Sequence, residues 1–404
     1  MFETIPPKKI LLVSPFFYPE PISTGKYNTF LTQKLAEKHH DVTVICSYPF
    51  YPAWRPEFTT KGLHGVTVLR GGLRVSYPRS AVVRRLVLEV WFAWHFWWQA
   101  LRLKGPVDVV AAVSPPVVFT FLVNALFKAS QKVVIVHDLQ GIMATSSNNL
   151  LRRLVASIMK QVEAPLLRSF DTVVCLSESM KDMLVTQYRI RAAACQVHYP
   201  FATLGDGPSE QTLLKDIFPA GFHHIVYSGA MGEKQKPRKL YWFFERLCKE
   251  ISDICCHIFS SGPIVDDLRT GNRDKRICFH DLVPESHLAE LYAHSDIQMV
   301  PQAEGTGAGA FPSKLPNLLA AGVPMLVVCD QESELARIIR ETDAGKAVPS
   351  WDFQELSQAV DSLLEHAAKE PRAHRRAMAE RHIQKKFDVN RLVASITQAH
   401  RLLP

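Results

Sequence analysis

Short, continuously apolar runs alternate with helical patterns along this chain. In the first half the runs are 10–14, 42–46, 109–113, 133–137 and 172–176. In the second half they are 224–228, 255–261, 277–280, 297–300 and 325–328. Uninterrupted apolar strands separated by helices predict parallel sheets covered on both faces. Residues 201–208 are rich in turn formers and read as a linker. The expected architecture is α/β: two doubly wound, Rossmann-like domains facing each other across a cleft, with ligands at the C-terminal strand ends. The predicted boundaries are 1–203, 204–386 and a last helix over 387–404 that returns to the first domain.

Composition narrows the function. A length of 404 residues suits two domains of about 200 each. A hydrophobic fraction of 47% is enough for two full cores. The net charge of +8 fits anionic partners such as nucleotides, lipid phosphates or a membrane surface. No helix-turn-helix, RNP-like or zinc-finger pattern supports nucleic acid as a partner. The eight cysteines show no C-x-x-C and no pairing pattern with histidine, and most lie in strand-like runs. That predicts buried thiols in a reducing cytoplasm, with neither a disulfide framework nor structural zinc. The N-terminal residues have no apolar run and read as leading into a strand rather than as a signal peptide.

The most informative segment is 311–325. A Pro-Ser-Lys turn opens an apolar helix that stops at Gly322, and Pro324 leads into a strand. Such a helix start aims backbone N–H groups, a dipole and Lys314 at one point, where phosphate or sugar can be held. A second candidate, Tyr227–Gln235, follows the first strand of the second half. Gly229 and Gly232 allow close backbone approach and Lys234 brings a mobile charge. Phosphate binding and an ordinary strand-to-helix turn are both open readings. Glu332 and Glu334 read either as ligand contacts or as caps of the next helix.

In the first half, the loop 15–26 is stiffened by prolines 15, 19 and 21 and carries Glu20, Gly25 and Lys26. His137 and Asp138 end a strand at the ligand edge, where a histidine can polarise a hydroxyl and an aspartate can accept a proton. Residues 91–98 hold four of the seven tryptophans: Trp91, Trp94, Trp97 and Trp98. Arg84, Arg85 and five further basic residues lie between 70 and 104, opposed only by Glu89. Trp beside Arg suits a lipid headgroup region, and the apolar run is short for a bilayer span. An interfacial helix and a helix buried against the first sheet are the two readings. No H-E-x-x-H, G-x-S-x-G, P-loop or D-x-D pattern points to other chemistry.

These stretches resemble glycosyltransferase family 4, which has the GT-B fold and retains anomeric configuration. The matching segments are the Pro-Phe-Phe-Tyr-Pro-Glu loop, 228–235, 283–300 and 312–324. Within the family the likeness is to colanic-acid-type exopolysaccharide and O-antigen transferases. The resemblance implies sugar transfer from a UDP- or GDP-sugar to a glycan or lipid-linked hydroxyl. It implies no cofactor or metal, and a cytoplasmic enzyme held peripherally on the inner face of the membrane. It assigns donor contacts to Gly229, Gly232, Lys234, Gln235, Glu304, Ser313, Lys314 and Asn317. Gly25 takes the place of a family glycine near phosphate and acceptor, with Glu20 and Lys26 beside it, and His137 and Asp138 are the catalytic candidates. Three departures stand out. Gly229 occupies the place of a usual Arg, for which Lys236 or Arg238 are the nearest substitutes. Gly309 and Asn317 fall where relatives place glutamates. A sugar-nucleotide epimerase of the same fold and a non-catalytic sugar-binding subunit are the alternatives.

Overall fold

The computed structural model describes residues 6–20, 22–51, 53–128, 130–139, 150–204, 214–306 and 311–397. The chain divides into two compact units, one of residues up to Pro200 together with those from Asp388 onward, the other Phe201–Phe387.

In the first unit the strands are β1 (Lys9–Val13), β2 (Asp41–Ser47), β3 (Val66–Gly71), β4 (Val109–Ser114), β5 (Gln131–Val136), β6 (Thr172–Cys175) and β7 (Cys195–Val197). Its helices are α1 (Ser23–Glu37), α2 (Ala81–Ala100), α3 (Val118–Leu126), α4 (Leu150–Arg168) and α5 (Glu178–Thr186). Among the described residues the sheet runs β3-β2-β1-β4-β5-β6-β7, with all pairings parallel. Strand order reverses between β1 and β4. The loops leaving these two strands diverge there and open a crevice, the usual ligand position in such sheets.

The second unit contains β8 (His223–Ser228), α6 (Pro237–Glu250), β9 (Ile254–Phe259), α7 (Pro263–Gly271), β10 (Ile277–His280), α8 (Leu288–His294), β11 (Ile297–Pro301) and α9 (Leu315–Ala321). It continues through β12 (Met325–Val328), α10 (Glu334–Thr342), β13 (Gly345–Val348), α11 (Phe353–Lys369) and α12 (Arg372–Lys386). The parallel order is β10-β9-β8-β11-β12-β13, so the reversal falls between β8 and β11. The last described helix, α13 (Val389–Thr397), packs on α1 and belongs to the first unit.

The inner strands coincide with the apolar runs because both sheet faces are buried: every residue of β4, β9, β11 and β12 is buried. Helix α9 ends at Gly322, whose φ is +63°. A Cβ there would lie 2.7 Å from the Arg372 carbonyl, so only glycine fits.

Candidate functional site

In the second unit the loops after β8 and β11 flank the point where strand order reverses. They are tied together by the Ala303 N–H, which donates to the Lys234 carbonyl at 2.8 Å. Lys314 comes to the same point from the segment before α9. Its Nζ donates to the carbonyls of Met299 on β11 (2.7 Å) and Ser228 at the end of β8 (3.2 Å), and lies 4.6 Å from the centre of the Tyr227 ring. No carboxylate among the described residues pairs with it. Enclosure of the ammonium lowers its pKa to about 7. An ammonium held on carbonyl dipoles, with no counter-anion, is poised for an anionic ligand. Beside it, Gly229 has φ +125° and open space where a Cβ would stand.

Several expected donor contacts acquire different work. Helix α9 has only seven residues, and Pro316 removes one of its first N–H groups. The anion-attracting feature is therefore the Lys314 charge rather than a helix dipole. Ser313 does not cap the helix; it is exposed in the preceding turn. Asn317 is buried. Its Oδ1 accepts the N–H groups of Thr203 (2.7 Å) and Leu204 (3.1 Å), and its Nδ2 donates to Thr203 Oγ1 (3.1 Å). Both ends of the amide are thus engaged by the segment that opens the unit, where a ribose diol was expected. Gln235 Oε1 accepts the Gly232 N–H at 2.9 Å and closes the turn around Lys234. Gly232 has extended φ, so its backbone makes no demand for glycine. Glu304 is exposed in the loop after β11, and Gly309 lies outside the described residues. Ser333, rather than Glu332 or Glu334, caps α10 by accepting the Ala336 N–H, and Glu334 is buried in the first turn of that helix.

One loop of this edge escapes sequence reading. Ser260-Ser261-Gly262 follows β9, and Gly262 has φ +118° with open space at its Cβ position, like Gly229. Ser260 Oγ is fully buried and has no hydrogen-bond partner. The signal was a Ser-Ser-Gly-Pro turn directly after an apolar strand.

In the first unit Glu20 is buried. Its Oε1 accepts the N–H groups of Phe50 (3.0 Å) and Tyr51 (2.7 Å), while Oε2 has no partner. Burial raises its pKa to about 7 despite these bonds. Gly25 lies inside α1, where a Cβ would stand 3.0 Å from the Glu20 carbonyl. The close approach it permits is to its own loop. Lys26 follows it on α1 and is part-buried. His137 lies one residue past β5. Burial lowers its pKa to about 4, its Nε2 has no partner, and its ring meets Tyr27 edge-on at 4.7 Å. The imidazole is thus neutral at physiological pH, able to donate to or accept from a hydroxyl. Asp138 follows, part-buried. Asn28, missed in the sequence, donates to Ser14 Oγ and the Phe16 carbonyl, both at 3.0 Å, and holds the loop after β1.

Helix α2 has a buried face and an exposed face. Phe92 and Phe96 are fully buried in the main core and Leu88 in a smaller cluster with Phe16, Phe50 and Tyr77, whereas Leu86, Val90, Trp94 and Trp98 are 60%, 69%, 60% and 42% exposed. Trp91 turns inward and stacks on His95, and Trp97 is part-buried against Trp94. Arg85 is ion-paired with Glu89 at 2.8 Å, and Arg84 stacks on Trp54 at 4.0 Å. Arg102 covers the Trp98 ring at 4.1 Å. Glu89 also accepts the Val117 and Val118 N–H groups, capping α3. No helix among the described residues is long and apolar enough to cross a membrane.

Residues 24–204 match the family model described as Glycosyltransferase Family 4, and residues 222–366 match Glycosyl transferases group 1. The chain is 25% identical over 359 residues to a putative colanic acid biosynthesis glycosyl transferase, WcaI, of Escherichia coli K12, covering 84% of this chain and 88% of that protein. In structure it is similar to sucrose-phosphate synthase from Thermosynechococcus elongatus (TM-score 0.75, 15% identity, 98% of both chains). It is also similar to WaaG, a glycosyltransferase involved in lipopolysaccharide biosynthesis (TM-score 0.68, 13% identity, 96% of this chain and all of that one).

Proposed function

The chain belongs to glycosyltransferase family 4 and has the GT-B fold, and from that premise we propose that it transfers a sugar from a nucleoside diphosphate to a hydroxyl of a glycan or lipid-linked acceptor in bacterial surface polysaccharide synthesis. The observation that carries the reading is the Lys314 ammonium, held without a counter-anion at the β8/β11 switch point beside the open face of Gly229.

In this reading the diphosphate of a UDP- or GDP-sugar sits against Lys314, Lys234 and the backbone of the loops after β8 and β9. Breaking the glycosidic bond concentrates negative charge on the leaving diphosphate. Fixed cations and N–H groups that meet this growing charge lower the barrier, and no metal is needed for it. Lys314 gains most from the charge, because its enclosure makes the protonated state costly until an anion arrives. In the first unit, neutral His137 and the unpartnered carboxyl oxygen of Glu20 are the groups suited to orient the acceptor hydroxyl and take up its proton. Asp138 is the further base candidate. Transfer with retention of configuration is the expected stereochemical course.

The exposed face of α2 supports a peripheral position on the inner face of the membrane. Trp94 and Trp98 supply amphipathic rings and Arg102 a cation at the same level, the composition favoured at the headgroup boundary. Arg84 and Arg85 support the helix from within the unit, the one on Trp54 and the other on Glu89.

The deciding experiment is a panel of nucleotide sugars screened by thermal shift, followed by transfer assays with the ligand that binds. A UDP- or GDP-sugar is expected to raise Tm in the native chain and much less in K314A and K234A. Full complementation of polysaccharide synthesis by both variants overturns the reading.

A further inference from the structure

Two Cys-x-His pairs lie in neighbouring strands of the second unit: Cys255 and His257 on β9, Cys278 and His280 on β10. Residues two apart in a strand share a face, and the register sets Cys278 beside His257. Strand β8 adds His224 to the same face. The imidazoles form a ladder, with His224 Nδ1 3.1 Å from His257 Nε2 and His257 Nδ1 3.1 Å from His280 Nε2. A covered parallel sheet ordinarily carries Val, Ile and Leu at such positions, and buried polar groups cost stability unless they are satisfied.

The two short nitrogen contacts fit a chain of neutral imidazoles that all point one way: with the His224 proton on Nε2, its Nδ1 is an acceptor. His257 must then carry its proton on Nε2, and its Nδ1 lone pair faces His280. Phe218 lies over the His257 ring at 4.6 Å and holds it in this orientation.

We propose that His257 Nδ1, His280 Nε2 and Cys278 Sγ bind a Zn²⁺ ion at the edge of the second sheet. The three donor atoms lie within 4.8 Å of one another. Zinc–nitrogen bonds of about 2.0–2.1 Å in a tetrahedral site place two ligand nitrogens about 3.3 Å apart, close to the spacing already present. The ion takes the place of the proton between His257 and His280. His257 keeps its Nε2–H on His224, the outer hydrogen bond that ordinarily orients a ligating imidazole. Two imidazoles and a thiolate form a borderline-soft set that suits zinc over magnesium or calcium. Strand β10 is at the sheet edge, and Cys278 and His280 are part-buried, which gives the ion an entry path and leaves its fourth position to water.

The work of such an ion is structural. The His280 carbonyl accepts the Ser260 N–H at 3.1 Å, so fastening β10 to β9 also fixes the start of the loop that ends in Gly262. This inference stands on the residues of β8, β9 and β10 and is independent of the sugar-donor reading.

The test uses the full chain, stripped of metal and kept reduced with a phosphine, titrated with Co²⁺ and then with Zn²⁺. The expected result is saturation at one Co²⁺ per chain, with tetrahedral visible bands and a thiolate-to-cobalt charge-transfer band, all removed by Zn²⁺. C278S abolishes the charge-transfer band, and H280A weakens binding by at least about tenfold. Zn²⁺ also protects Cys278 of the native chain from alkylation, a readout that needs no variant to fold. Absence of saturable binding in the native chain, an unchanged spectrum in C278S, or unaltered alkylation of Cys278 in Zn²⁺ overturns the proposal.

Discussion

The Nζ of Lys314 lies 2.7 Å from the carbonyl oxygen of Met299, and this carbonyl and that of Ser228 are its hydrogen-bond acceptors among the described residues. A cation so placed has a depressed pKa of about 7 against an ordinary 10.5. The folded chain therefore binds fewer protons than the unfolded chain between these values, and this residue's contribution to stability rises with pH across that window. A diphosphate that meets the ammonium reverses the shift. Nucleotide binding near pH 8.5 should take up about one proton per complex. Calorimetry in buffers of different ionisation enthalpy measures it. The uptake should vanish in K314M, whose affinity falls by roughly 1.5–3 kcal/mol through loss of a charged hydrogen bond. No uptake in the native chain would place the diphosphate elsewhere.

Asn317 makes a different prediction because both ends of its amide are engaged. Replacing it with Ala leaves the Thr203 and Leu204 N–H groups without their acceptor, at a cost of about 1–3 kcal/mol in urea unfolding. Asp keeps the acceptor but loses the bond to Thr203 Oγ1 and buries a carboxyl group near Glu285. N317D should therefore be the milder change at acidic pH, where its carboxyl is neutral. Equal losses for Ala and Asp at that pH would mean that these bonds do not hold the segment.

Glu20 carries the opposite sign from Lys314. Its pKa is raised from 4.5 to about 7, so the folded chain binds the extra proton. Stability from this group is present below pH 4.5, declines as pH rises to about 7, and is lost above it. Glu20→Gln keeps the acceptor for Phe50 and Tyr51 and removes the buried charge. It should stabilise the protein at pH 8 by up to roughly 3 kcal/mol and change little at pH 4.5. If Glu20 takes the acceptor's proton, the same variant loses transfer activity while gaining stability, the usual trade at a functional group. Full activity in E20Q removes it from the mechanism.

Inner strands were legible in the sequence because burial on both faces leaves an unbroken apolar run, as in Val109–Val113 and Met325–Val328. The edge strands β3, β7 and β13 were not. They are short or only half-buried, so Val66–Gly71 and Gly345–Val348 mix polar with apolar residues and Cys195–Val197 is only three residues long. The glycine turn after β8 and the helix stop at Gly322 could be read from glycine placement. The partners of Lys314 and Asn317 could not, since Ser228 and Thr203 are about a hundred residues away along the chain. The cysteine–histidine ladder was hidden for a related reason. Each Cys-x-His pair is silent alone and becomes a cluster only through the register of β9 and β10.

Helix α2 offers the clearest separation of fold from surface. Its buried face holds Phe92 and Phe96, and its exposed face holds Leu86, Val90, Trp94 and Trp98. Replacing Trp94 and Trp98 with Ser removes rings that lie outside the core cluster and are partly in water, so unfolding should shift by much less than for a core aromatic, about 1–2 kcal/mol. The same double change should abolish cosedimentation with anionic vesicles, because interfacial binding scales with the apolar area inserted. Phe96→Ser is the opposite control. It opens a cavity and buries a hydroxyl at a fully enclosed position, costing about 3–5 kcal/mol. Vesicle binding that survives in the Trp pair variant would show that the exposed face serves something other than lipid. Unfolding of that variant would show that Trp94 and Trp98 act in the core, against their exposure.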